Sequence, residues 1–169
     1  QSLLTGKRSA GKSTMCAKII RSVQKQYPDQ MPVYIDVEGT FDAAWNETLG
    51  VDTDRLMVAD AETGEMAVDI ADAVVSSGET SMLILDSIAA MTPTKEVDSS
   101  AEDAHVGIHA KLVTGMVRKL TAALVKERAR GHFVTVLYVN QWRSNIGGFA
   151  PFGQEARSLP GGKALEYGT

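Results

Sequence analysis

The 169 residues predict an α/β domain, a mainly parallel twisted sheet with helices on both faces. Two observations carry that expectation. Short runs rich in Val, Ile and Leu alternate with longer segments of helical character, and such alternation calls for crossover connections that pack helices against a parallel sheet. Residues 6–13, Gly-Lys-Arg-Ser-Ala-Gly-Lys-Ser, follow an apolar strand end and open a helix-forming run. They fit the phosphate-binding pattern G-x-x-x-x-G-K-[ST].

In chain order, Leu3 and Leu4 close the first strand, and Met15, Ile19, Ile20 and Val23 make a helix of residues 11–26. Met31 to Val37, Arg55 to Ala59, Ser81 to Asp86 and His132 to Asn140 read as short buried strands. Helices are predicted at 41–49 and 64–77, with Gly50 and Gly78 falling just past their ends as stop signals. A longer helix runs from His105 to Arg128. Ile108, Leu112, Met116, Leu120 and Leu124 recur every four residues along it, beside Val113 and Val117, as a core-facing stripe. Lys111, Thr114 and Arg118 stack on a different face, where they either meet successive phosphates or merely solubilise the helix. Thr92 to Ala104 and Trp142 to Gly162 fit no regular element; loops of that length inside a compact domain are usually functional or disordered.

The chain is long enough for one domain with a real core, and residues 1–169 read as a single unit. It carries no long apolar run and no signal peptide, so a membrane protein is not expected. The single cysteine, Cys16, cannot form an internal disulfide and fits a reducing cytoplasm as a small apolar filler. A start at Gln1 and a stop at Thr169, both inside apparent elements, suggest an internal fragment of a longer protein. Net charge is −4 but unevenly spread. Residues 1–28 hold six bases and no acid, residues 29–110 two bases and eighteen acids, and residues 111–163 nine bases against Glu127 and Glu155. That asymmetry suggests a face for a polyanion, or simply a solvated basic helix.

The motifs carry the chemistry. Gly6 and Gly11 allow the backbone angles and close approach that let successive N–H groups wrap a polyphosphate. Lys12 supplies a charge for the β and γ phosphates, Ser13 a hydroxyl for Mg²⁺, and the helix that starts here turns its positive end to the anion. Met82-Leu83-Ile84-Leu85-Asp86 is an apolar strand ending in a carboxylate, the Walker B pattern. Glu38 ends an earlier strand at the same edge, where a carboxylate can orient or deprotonate a water. Gln141 closes the last strand and could report a γ phosphate to the loop that follows it. His105 and His109 stand at i, i+4 without a third metal ligand in frame, and read as ordinary histidines, and His132 only opens a strand.

The segments GKRSAGKST, YIDVEGTFD, LGVDTDRLMVADAETGE, LILDSIAAMTP, VNQWRSNIGG and LPGGKALEY resemble, in order and spacing, the ATPase core of bacterial and phage RecA-type recombinases. The resemblance covers essentially the whole chain. It implies a RecA-like P-loop NTPase that uses ATP and Mg²⁺, polymerises on single-stranded DNA, pairs it with homologous double-stranded DNA and exchanges strands. It assigns Gly6, Ser9, Ala10, Gly11, Lys12, Ser13 and Thr14 to phosphate and Mg²⁺, Glu38 to activation of the hydrolytic water, Asp86 to the metal and Gln141 to sensing the γ phosphate. Asp42 matches a residue that contacts the adenine amino group, and Trp45 stands where a Tyr usually stacks on the base; a core Trp is the alternative. Val106 and Ile146 would wedge between bases. Lys111, Thr114, Arg118, Arg143, Gly161, Gly162 and Lys163 would touch DNA phosphates. Lys111 stands where Arg is common, and Glu166 where a base is common. The family's amino-terminal oligomerisation element and its carboxy-terminal part, with lysines that reach a neighbour's ATP, have no counterpart here, so poor assembly and hydrolysis are expected of the isolated chain. Three other readings share parts of the pattern: a replicative helicase of the same fold, an ATP-binding mediator that does not exchange strands, and a small-molecule kinase, which leaves the long basic loop unexplained.

Overall fold

The structure, a computed structural model, describes residues 1–94, 102–144, 157–161 and 165, with the side chains of 102–106, 143, 144, 157 and 158 outside the description. Its framework is a five-stranded sheet in which every pairing is parallel. In chain order the elements are β1 (Ser2–Gly6), α1 (Lys12–Gln26), β2 (Val33–Asp36), α2 (Ala43–Thr48), β3 (Met57–Asp60), α3 (Gly64–Ser77), β4 (Met82–Asp86), α4 (Glu102–Ala129) and β5 (Thr135–Gln141). The strand order across the sheet is β1-β5-β4-β2-β3. Two-residue strands β6 (Arg143–Ser144) and β7 (Arg157–Ser158) pair antiparallel beyond it, within the stretch expected to be irregular.

Leu83 and Leu85 pack on one face of the sheet with α3 and α4, while Met82 and Ile84 pack on the other with Cys16, Ala17 and Ile20 of α1. A strand covered on both faces has no polar side to show, which is why β4 reads as an unbroken apolar run. The stripe on α4 lies where its period puts it, with Val113, Met116 and Leu120 fully buried. Lys119, on the same helix, binds α3 through Asp69 and Asp72 at 3.0 and 3.2 Å.

Several expected boundaries move. The strand expected at Arg55 to Ala59 is Met57–Asp60, and it is not buried: it is the sheet's edge strand, with Met57 49% and Val58 39% exposed. The strand expected from Met31 begins at Val33 and ends at Asp36, because the Asp36 carboxylate accepts the amides that follow it and turns the chain. The strand expected from His132 begins at Thr135. Glu127 draws His132 into the turn after α4, accepting from Arg130 Nη1 at 2.7 Å and lying 3.0 Å from His132 Nδ1. The helix expected from His105 begins at Glu102. His109 is no ordinary surface histidine, since its Nε2 donates to Ile88 O at 2.9 Å and ties α4 to the turn after β4.

Candidate functional site

All five strands point their carboxyl ends the same way, so Gly6, Asp36, Asp86 and Gln141 arrive at one edge. Register brings them side by side: Gly6 pairs with Gln141 and Asp36 with Asp86. Between β1 and α1 the loop 6–12 turns tightly. Gly6 faces Ala10 so closely that a Cβ on it would meet Ala10 Cβ at 3.3 Å, and Gly11 sits at φ 84, a left-handed angle that strains any side chain. Ser9 is also left-handed, at φ 59.

Gly11 caps α1 without offering a side chain, and the first turn holds no acid. The helix therefore begins with amides that no side chain satisfies, an arrangement suited to an anion. Lys12 is nearly buried, and its ammonium donates to Lys7 O at 2.9 Å and Gly6 O at 3.5 Å. It is held over the loop by the loop's own carbonyls. A cleft of about 390 Å³ opens there, with residues 8–14 on one side and Glu38, Thr40, Asp86 and Gln141 on the other. A larger cavity of about 710 Å³ lies at the opposite end of the strands against Met31, Val33 and Met57; none of the motif residues lines it.

Opposite the loop, hydrogen bonds fix each carboxylate. Glu38 Oε1 accepts from Ser87 Oγ at 2.5 Å and from Gln141 Nε2 at 2.8 Å. Asp86 Oδ2 accepts from the Tyr34 hydroxyl at 2.5 Å. Asp36 accepts the amides of Glu38, Gly39 and Phe41 at 3.1, 2.9 and 2.6 Å, which closes the turn that presents Glu38. Burial raises the proton affinity of Asp86, the Glu38 and Asp36 charges raise it further, and the Tyr34 hydrogen bond and Lys12 oppose them. Burial, with Asp86 nearby, pushes the Cys16 thiol up to about 12, which leaves it an inert filler beneath the loop.

A cation fits this donor set. Asp86 turns a buried carboxylate to the cleft opposite Ser13, and Glu38 adds a further negative charge. Among the described residues no three His, Cys, Asp or Glu side chains cluster tightly enough to cage a metal by themselves. That is the arrangement expected of Mg²⁺, which takes one or two protein ligands and completes its shell with phosphate and water.

Residues 3–169 match the RecA N-terminal domain. The chain belongs to the RecA family. It is 39% identical to Protein RecA of Corynebacterium urealyticum over 162 residues, 96% of this chain and 41% of that protein. Identity to Protein RecA of Bifidobacterium breve is 37%, covering 96% and 39%, and to that of Heliobacterium modesticaldum 38%, covering 96% and 44%. The chain thus spans about two fifths of the length of these RecA relatives.

The RecA resemblance singled out further residues, which fall in different places. Asp42 caps α2, its Oδ1 accepting from Trp45 N at 2.9 Å, and Trp45 is 49% exposed rather than a core residue. Lys111, Thr114 and Arg118 are exposed on one face of α4. The Thr114 hydroxyl donates back to Ala110 O at 2.7 Å. Gly161 is buried, and a Cβ on it would meet Val113 Cγ1 at 2.9 Å. Arg143 opens β6, with its side chain outside the description, as is that of Val106 on α4. Ile146, Gly162, Lys163 and Glu166 lie outside the described residues.

Sequence reasoning gave no role to four residues of the edge. Ser87 and Tyr34 hold the two carboxylates from behind, and Asp36 shapes the turn between them. Asn140, fully buried, donates from Nδ2 to Pro160 O at 2.8 Å and accepts from Gln141 N at 2.9 Å, so β5's last residues and the far end of the following loop are tied together. Asp36 and Ser87 each adjoin a recognised motif. Tyr34 becomes visible only once the β2–β4 register is known.

Proposed function

We propose that this chain is the ATPase core of a cytoplasmic DNA recombination and repair protein, which forms filaments on single-stranded DNA and promotes pairing and strand exchange with homologous double-stranded DNA. The observation that carries the reading is Gln141. Its side chain reaches Glu38 in the cleft, and its backbone leads directly into residues 142–162, the stretch that the family likeness assigns to DNA.

In this reading ATP lies along residues 6–14, with α1's first amides and Lys12 on its phosphates, and with Asp42 and Trp45 toward the base. Mg²⁺, held by Ser13 and Asp86, supplies charge neutralisation on the phosphates. Glu38 accepts the proton of the attacking water and is aimed by Ser87. Lys12 exchanges its carbonyl partners for phosphate oxygens. Gln141 has two amide protons, so it can keep Glu38 and reach the γ phosphate with the other. Exposed Lys111 and Arg118, with Arg143, Gly162 and Lys163, take DNA phosphates, which supply affinity without sequence readout, and Val106 and Ile146 stretch the strand.

The test is ATP hydrolysis by the full-length protein with and without single-stranded DNA, with Glu38→Gln as control. Stimulation that disappears in Glu38→Gln, together with pairing of homologous strands, supports the proposal. Unwinding of a tailed duplex without pairing would point to a helicase of the same fold, and ATP binding without turnover to a recombination mediator.

A further inference from the structure

Tyr34 stands in the middle of β2, two register positions behind the functional edge. It pairs with Ile84 while Asp36 pairs with Asp86, so Tyr34 and Asp86 are diagonal neighbours across two strands. That diagonal is within reach of an aromatic side chain and of few others. Both groups are buried, Tyr34 at 5% exposure and Asp86 at 6%. The ring is gripped on its sides. It packs at a tilt of 54° against Phe41, with centroids 5.2 Å apart, and shares its apolar cluster with Cys16 and Ile84.

A phenol has one proton to give, and Tyr34 gives it to Asp86 Oδ2. Asp86 Oδ1 has no hydrogen-bond partner among the described residues. A carboxylate at the end of a strand otherwise turns over a broad range about its last torsion. The geometry points to Tyr34 as a positioning residue for the divalent-cation site: its hydroxyl holds Oδ2 at the back and commits Asp86 to presenting Oδ1 to the cleft. The inference rests on the proposed role of Asp86 toward Mg²⁺ and extends it to a residue outside the recognised motifs. Partners of this kind orient a metal's ligands and affect its affinity without touching it.

The substitution Tyr34→Phe removes one oxygen and leaves the ring in its packing. The readout is binding of N-methylanthraniloyl-ATP to the full-length protein, titrated with Mg²⁺ and repeated in EDTA. The Mg²⁺ concentration for half-maximal binding is expected to rise about tenfold in Tyr34→Phe, while affinity in EDTA stays unchanged. In an Asp86→Asn background the same substitution is expected to shift the midpoint no further. A role confined to packing would instead weaken binding equally with and without Mg²⁺ and lower the Tm. An unchanged midpoint in Tyr34→Phe, where the parent responds to Mg²⁺ and Asp86→Asn raises the midpoint, overturns the inference and leaves the proposed function standing. A parent whose nucleotide binding ignores Mg²⁺, or a midpoint untouched by Asp86→Asn, removes the role of Asp86 and the inference with it.

Discussion

Gln141 Nε2 and Glu38 Oε1 meet across 2.8 Å although 103 positions separate them in sequence. One comes from the end of β5, between β1 and β4 in the sheet, and the other from the turn after β2. The bond joins the group read as the base for hydrolysis to the residue that leads into the segment proposed to meet DNA. Gln141→Ala is therefore expected to abolish the rise in single-strand affinity that ATP produces, a coupling of about tenfold or more in systems of this type. Fluorescence anisotropy of a labelled oligonucleotide, with and without a slowly hydrolysed ATP analogue, measures it. An undiminished response would disconnect Gln141 from the DNA loop.

Ser87 donates to the same Glu38 oxygen at 2.5 Å. Ser87→Ala removes one of two donors and lets the carboxylate drift, so kcat for ATP is expected to fall roughly 10- to 100-fold with little change in nucleotide affinity. Steady-state hydrolysis alongside direct ATP binding separates the two. A loss of binding without loss of kcat would contradict the assignment.

Asp36 is 3% exposed and accepts three amides. Asp36→Ala leaves those donors without their acceptor and releases the turn that carries Glu38. Destabilisation of about 2–4 kcal/mol is expected, with hydrolysis lost at temperatures where the variant is still folded. Urea unfolding and ATPase assays on the same sample check both halves.

The buried Glu127 is held below the usual carboxylate range by its His132 hydrogen bond first, and by Arg130. A depressed pKa contributes stability above the unfolded value, and that contribution is lost as pH falls through the folded one. Thermal unfolding of the parent should thus weaken below about pH 4.5, more steeply than that of Glu127→Gln. Equal slopes for the two would show that this carboxylate does not govern the acid limb.

Lys111 and Arg118 are exposed on the same face of α4. If each neutralises one DNA phosphate, replacing either with Ala should reduce the slope of log affinity against log salt by about 0.7. Binding titrations at several salt concentrations read this directly, and an unchanged slope would return the pair to ordinary surface solvation.

Much of the fold was legible because both of its signals are local. Helix α3 begins and ends where its pattern says, and the apolar run into Asp86 marks a strand covered on two faces. The phosphate loop was equally plain, since each of its residues answers to a requirement of its neighbours. The strand at 57–60 misled, because exposed Met57 and Val58 have the composition of a buried strand, and only its place in the sheet shows it to be an edge. Tyr34 stayed hidden for a related reason. Its meaning depends on which residue lies diagonally across in β4, and no periodicity in one segment encodes that. His109 and His132 have no role that the sequence shows, although His109 meets Ile88 in the turn after β4 and His132 meets Glu127 at the end of α4.

The strand order has a bearing on how the chain reaches this state. In this sheet β5 comes last in sequence yet lies between β1 and β4, and β1 pairs with no other strand of it. During synthesis β2, β3 and β4 can align as soon as they emerge, whereas β1 waits through more than 120 residues for its neighbour. Closing so long a span costs more chain entropy than aligning β2, β3 and β4, so the β1–β5 pairing is expected to follow theirs. Until β5 takes that place, β1 lacks this pairing and the apolar strand surface between β1 and β4 stays exposed. Nucleotide capture by a growing polypeptide should consequently wait until β5 locks in beside β1.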